Sequence, residues 1–71
     1  MIKQDINDIH RAVRALERGS KQLAAEYLLE VRERTRSRHI KCLVWSLIDL
    51  HALGDEVFEA RQRNAATQVA A

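Results

Sequence analysis

The chain contains no proline, one cysteine, two glycines and one each of Trp, Tyr and Phe. With Cys42 alone, no disulfide forms within the chain. Cys42, His10, His39 and His51 show neither CxxC nor HxxxH spacing, so the sequence offers no metal site and calls for no cofactor. No apolar run approaches the roughly 18 residues of a membrane span, and no cleaved leader is expected. A free thiol agrees with a reducing cytoplasm. A glycine-rich phosphate loop is missing, and Ser20, Ser37 and Ser46 stand in no nucleophile motif. The carboxylates Asp49, Asp55, Glu56 and Glu59 read as a solvated helix face. The chain is therefore expected not to be an enzyme, because so short a helical protein has little concavity to keep water from a reaction.

What is present favours helix throughout: Ala, Leu, Arg, Glu and Gln dominate. A chain of 71 residues is one domain at most. It buries only about 60% of its unfolded surface, so its core is marginal. Without disulfide or metal, association is the expected source of further stability, and a homodimer is predicted.

Ile2, Ile6, Ile9, Val13, Leu16, Ser20, Leu23 and Tyr27 follow alternating steps of four and three. That is an apolar stripe of heptad type. Asp5 is read as the N-cap of this helix. Gly19-Ser20 can end one helix and cap another, yet the stripe keeps its phase across the pair. One helix over about residues 4–33, bent at Gly19, is the favoured reading. Two short helices and a three-helix domain are the alternative. Residues 34–37 form the turn, where Thr35 or Ser37 caps the next helix. That helix is predicted over about 38–64, followed by a frayed tail at 65–71. Its apolar face is Ile40, Leu43, Val44, Leu47, Leu50, Gly54, Val57 and Phe58. The fold class is all-α: a helical hairpin that dimerises into a bundle. Ile6, Ile9, Val13, Leu16, Leu43, Leu47, Leu50, Gly54 and Phe58 form its core or dimer contact. Gly54 is read as facing inward to permit close helix approach, and His51 as a core or interface histidine.

Trp45 breaks this pattern. It lies roughly 170° from the centre of the apolar sector at about 100° per residue. Arg38, Cys42, Asp49, Ala52 and Glu56 are its neighbours on the outer side. Two readings stand: the indole extends a dimer core with its N–H near Asp49, or it is a binding hot spot beside Arg38 and His39.

Charge is nearly balanced, with 12 Lys+Arg against 10 Asp+Glu, but it is unevenly placed. Arg32, Arg34, Arg36, Arg38 and Lys41 form a basic belt diluted by Glu30 and Glu33. The belt admits three readings: phosphate contacts, a solvated helix end, or a charged contact with a protein. The helix after it opens IKCLVWSLIDL, too apolar to lie in a groove, which weighs against direct nucleic-acid binding.

Leu43, Trp45, Ala52-Leu53-Gly54-Asp55 and Arg61, a W-x6-ALGD pattern, resemble the small phage-encoded quorum-sensing anti-activator family of Pseudomonas phages. Asp5, Ile6, Ile9, Val13 and Arg14 are compatible with it; the similarity is weaker through residues 17–38. The resemblance implies a dimerising helical hairpin in the host cytoplasm that inhibits by direct binding. Its targets would be the DNA-binding region of the activator LasR and the type IV pilus assembly ATPase PilB, the latter giving superinfection exclusion. Trp45 matches the family's tryptophan, implicated in partner contact. His39 stands where the best-known member has a tyrosine, and the Arg-rich segment 32–38 replaces a more acidic and polar loop. Both departures put partner choice in doubt. The partner-binding set expected here is Trp45 as anchor, His39 beside it, Arg36 and Arg38 as charged contacts, with Cys42 and Asp49 on the same outer side. Asp49, Glu56 and Glu59 are a candidate phosphate mimic.

Overall fold

The computed structural model describes the backbone of residues 2–70 and the side chains of residues 3–65. Among the described residues the chain forms four helices and no strand: α1 (Ile2–Glu17), α2 (Lys21–Arg34), α3 (Arg38–Leu50) and α4 (Gly54–Ala70). The all-α class holds. The two-helix hairpin does not, because each expected long helix is broken once.

The first break is a Schellman stop. Gly19 adopts φ +84°, its N–H donates to the Leu16 carbonyl at 3.0 Å, and the Ser20 N–H donates to the Ala15 carbonyl at 2.8 Å. Glycine reaches this left-handed backbone without a Cβ penalty, and the two bonds satisfy carbonyls left open at the helix end. The unbroken phase of the apolar stripe was therefore no sign of continuity. Ser20 occupies the N-cap position of α2, but its side chain makes no capping bond.

The second break has the same hydrogen bonds without glycine at the left-handed position. Ala52 has φ +54°; its N–H donates to the Asp49 carbonyl at 3.2 Å, and the Leu53 N–H donates to the Ile48 carbonyl at 2.9 Å. Ile48 and Leu53, the pair that accompanies such a stop, are both buried. Gly54, two residues later, is exposed at the start of α4, with nothing within 4 Å of where its Cβ would lie. It permits no close helix approach, contrary to the expectation. His51 is likewise exposed, as the C-cap of α3 rather than a core histidine.

The intervening turn falls at residues 35–37, as expected. The Thr35 N–H donates to the Val31 carbonyl at 2.8 Å, closing α2. The Ser37 N–H donates to Thr35 Oγ1 at 3.2 Å, and Ser37 Oγ accepts from the Ile40 N–H at 3.3 Å, capping α3.

α2 is the central element and packs against α1, α3 and α4. Its buried residues Ala24, Ala25, Leu28, Leu29 and Val31 spread over a wide arc because three neighbours surround it. The α1–α2 seam is built on alanine: Ala12 and Ala15 of α1 are buried in one cluster with Ala24 and Ala25 of α2. Small side chains let helix axes approach closely. The seam is therefore rotated from the expected stripe. Ile9 is buried, Val13 and Leu16 are half-buried, and Ile6 and Leu23 are exposed. Ile2 lies outside the described side chains. The far side of the core comes from Ile40, Val44 and Ile48 of α3, with Leu53, Val57 and Ala60 around the start of α4. Leu47 and Tyr27 pack against this cluster from its edge. Leu43, Leu50 and Phe58, assigned to the core or dimer contact from sequence, are exposed in the single chain. Phe58 loses its expected alignment at the break at Ala52, whereas Leu43 and Leu50 lie within α3 and point away because Ile40, Val44 and Ile48 form its inward face.

Asp5 does not cap α1, which begins at Ile2. It is buried beside Asp8, and both meet Arg34 from the end of α2. Arg34 Nη2 donates to Asp5 Oδ1 at 2.9 Å and to Asp8 Oδ2 at 2.7 Å, while Nε donates to Asp5 Oδ1 at 3.2 Å. These charge-assisted bonds tie the start of α1 to the end of α2. Arg34 holds the Asp5 carboxyl below its usual range. The two carboxylates, Asp8 first, hold the Arg34 guanidinium above its own. The tail expected to fray, 65–71, falls almost wholly outside the described side chains, although α4 runs to Ala70.

Candidate contact surface on α3

Three buried residues, Ile40, Val44 and Ile48, fix how α3 is rotated. At about 100° per residue they span roughly 80°, and Trp45 lies roughly 100° from their centre. Trp45 is therefore on the flank of α3 rather than opposite the core. The expected face counted Leu43, Leu50 and Gly54 as inward and omitted Ile48, which turned the helix by a residue's width.

That flank faces α2, which explains the environment of the ring. The Arg32 guanidinium carbon sits 4.3 Å from the Trp45 ring centroid. Trp45 remains 52% exposed, so the cation covers part of the ring and leaves the rest to solvent. A guanidinium over an indole is a cation–π contact of about 0.5–1 kcal/mol at an exposed site. It biases the ring toward this orientation by that amount. Sequence reasoning did not pair Arg32 with Trp45, and no local spacing signals a contact between two helices.

Arg38, Lys41, Cys42, Ser46 and Asp49 are exposed on the same side of α3 as Trp45. Arg38, Lys41 and Trp45 step by three and four residues, so they form one stripe. Cys42 carries a free thiol at its edge. Asp49, four residues beyond Trp45, closes the stripe with a negative charge. His39 is exposed but lies roughly 120° round the helix from Trp45 at about 100° per residue, so the two do not meet. Arg36 is exposed in the turn before α3. Of the five cations in the belt, Arg34 is withdrawn into the Asp5–Asp8 clamp and Arg32 onto the indole. Arg36, Arg38 and Lys41 make no ion pair among the described residues. Glu56 is half-buried and Glu59 exposed on α4, beyond the helix break that separates them from Asp49.

Beside the indole lies an open groove of about 590 Å³, lined by Trp45, Ser46, Ile48, Asp49, Ala52 and Gly54. Its floor is the α3–α4 corner, where the bare Gly54 leaves space. A second open groove, about 520 Å³, lies between Val13, Leu16, Gly19 and His51. Among the described residues no three His, Cys, Asp or Glu side chains converge as metal ligands do, and no helix is long and apolar enough to cross a membrane.

Comparison with protein families, curated proteins and solved structures finds no match to this chain.

Proposed function

We propose that this chain is a non-enzymatic phage protein that binds and inhibits a host protein, with the Trp45 flank of α3 as its contact surface. The observation that carries the reading is the Arg32–Trp45 pair: a half-exposed indole under a guanidinium beside an open groove. Binding hot spots are enriched in Trp and Arg, and an anchor biased toward one rotamer loses less freedom on binding. The W-x6-ALGD resemblance nominates LasR and PilB as targets. The four-helix architecture weighs against carrying over the family's hairpin dimer, and His39 is not positioned to act with Trp45.

The homodimer belongs to the same reading. Leu43 and Leu50 are exposed on the other flank of α3, roughly 150° from Trp45 at about 100° per residue. Self-association there leaves the indole free.

The test is binding of purified LasR and PilB to the wild-type chain and to Trp45→Ala, with helicity confirmed by circular dichroism. Wild type captures one of them and the folded variant loses at least tenfold in affinity. Equal binding by both chains removes Trp45 as the anchor; no binding to either protein removes both nominated targets. A second reading, a small nucleic-acid-binding regulator, is favoured by Arg36, Arg38 and Lys41 making no ion pair among the described residues. It requires affinity that falls with salt at a log–log slope of about −0.9 per phosphate contacted.

A further inference from the structure

We infer that the Trp45 flank recognises an acidic protein segment: a short amphipathic stretch that places an apolar side chain beside Trp45 and carboxylates against Arg36, Arg38 and Lys41. The inference rests on the binding reading above and adds the chemistry of the partner.

The charges decide it. Arg38 lies seven residues and Lys41 four residues before Trp45, which puts them about 10 Å and 6 Å along the α3 axis from the indole at 1.5 Å per residue. Both are exposed and free of ion pairs among the described residues, as is Arg36 in the preceding turn. Asp5 and Asp8 are committed to Arg34, and Glu30 and Glu33, which dilute the belt in sequence, form no ion pair with Arg36, Arg38 or Lys41 among the described residues. A groove opens beside the ring, with Ile48 and Ala52 as its apolar wall and Ser46 and Asp49 as its polar one. A partner therefore meets cations first, then the ring, then a recess whose apolar wall is Ile48 and Ala52 and whose rim carries Asp49.

This order fits a protein segment better than a nucleic acid, because one face of the indole is already occupied by Arg32, leaving less of it for a base to stack on. It also disfavours docking on a DNA-binding surface, which is itself basic and would be repelled by Arg36, Arg38 and Lys41.

The experiment uses Trp45 as its own reporter, since it is the chain's only tryptophan. Three probes without Trp or Tyr are titrated at low and moderate salt while Trp45 emission is followed. They are a helical peptide with Leu on one face flanked by Glu, the same peptide with Lys for Glu, and a twelve-nucleotide oligothymidine. The Glu peptide shifts the emission and saturates, and the Lys peptide binds at least tenfold more weakly. In the double variant Arg38→Glu/Lys41→Glu, at exposed positions and checked for helicity, the preference reverses and the Lys peptide binds better. Equal binding of the two peptides, no reversal in the variant, or no binding by any probe overturns the inference. Tighter binding of the oligothymidine than of the Glu peptide overturns it in favour of nucleic acid. Any of these outcomes leaves the LasR and PilB test standing, because that test reads the anchor and not the charge of its partner.

Discussion

Substituting Ala52 by Gly should make this protein more stable, although it removes a methyl group and introduces the poorest helix former but proline. Ala52 sits at φ +54°, one residue beyond His51, the C-cap of α3. An L-residue with a Cβ is strained in the left-handed region by about 1–2 kcal/mol. Glycine removes that strain but gives the unfolded chain extra freedom, which costs about 0.5–1 kcal/mol. The difference is a net gain between about 0 and 1.5 kcal/mol, centred on about 0.75. For a domain of this size the central value corresponds to a rise in Tm of about 3–6 °C. Gly19 is the internal control, because it takes the same stop at φ +84° with nothing within 4 Å of a new Cβ. Gly19→Ala meets no clash, so its loss of about 1 kcal/mol reflects backbone conformation alone. Thermal unfolding of both variants, followed by circular dichroism at 222 nm, compares opposite substitutions at equivalent positions. If Ala52→Gly lowers Tm, residue 52 is not left-handed, and the separation of α3 from α4 fails with it.

Four further outcomes follow from the packing. Gly54→Ala should be neutral or stabilising by up to about 1 kcal/mol, since the site is open and helical; a loss in urea unfolding would restore the close-approach role first expected of it. Leu53→Ala, at a fully buried position, should cost about 2–5 kcal/mol, enough to leave much of the chain unfolded in the same assay. Arg34 depresses the Asp5 carboxyl, so its stabilisation is complete above the unfolded carboxylate value near pH 4 and fades as pH falls through the lower folded value. Urea midpoints from pH 6 to pH 2 should therefore fall more steeply for wild type than for Arg34→Met, and parallel curves would remove the clamp from the acid response. Leu50→Glu, at a residue 76% exposed, should leave monomer stability within about 0.5 kcal/mol of wild type but lower the mass seen by light scattering; an unchanged dimer mass would place the self-contact elsewhere.

The legible parts of the fold were those written in neighbouring residues. The lack of proline and the helix-favouring composition gave an all-α chain. Thr35 and Ser37 marked the turn, and Ser37 caps α3 through its hydroxyl. The parts that depended on packing were not legible. Apolar patterning weights bulky residues, so Ile6 and Val13 were placed inward, while Ala12 and Ala15, which form the seam, went unnoticed. Ala52 gives no local sign of a left-handed backbone, and the glycine two residues later drew attention to the wrong position. Arg34 meets Asp5 across 29 residues of sequence, and Arg32 reaches Trp45 from another helix. In sequence both cations belong to one basic belt, but tertiary contacts divide the belt into a clamp, a ring partner and three charges without an ion pair among the described residues. Periodicity alone places Trp45 opposite the core, and the burial of Ile48 turns the helix so that the ring lies on its flank.

The most direct test of the account is the unfolding free energy of Trp45→Ala from urea titration. An indole half in solvent and held by one cation–π contact should contribute less than about 2 kcal/mol to stability. A core tryptophan loses about 3–5 kcal/mol on the same substitution. A small loss with full helicity is the predicted result and keeps the ring available to a partner. A loss in the upper range, or collapse of the fold, would place Trp45 in the core and contradict the contact surface proposed for α3.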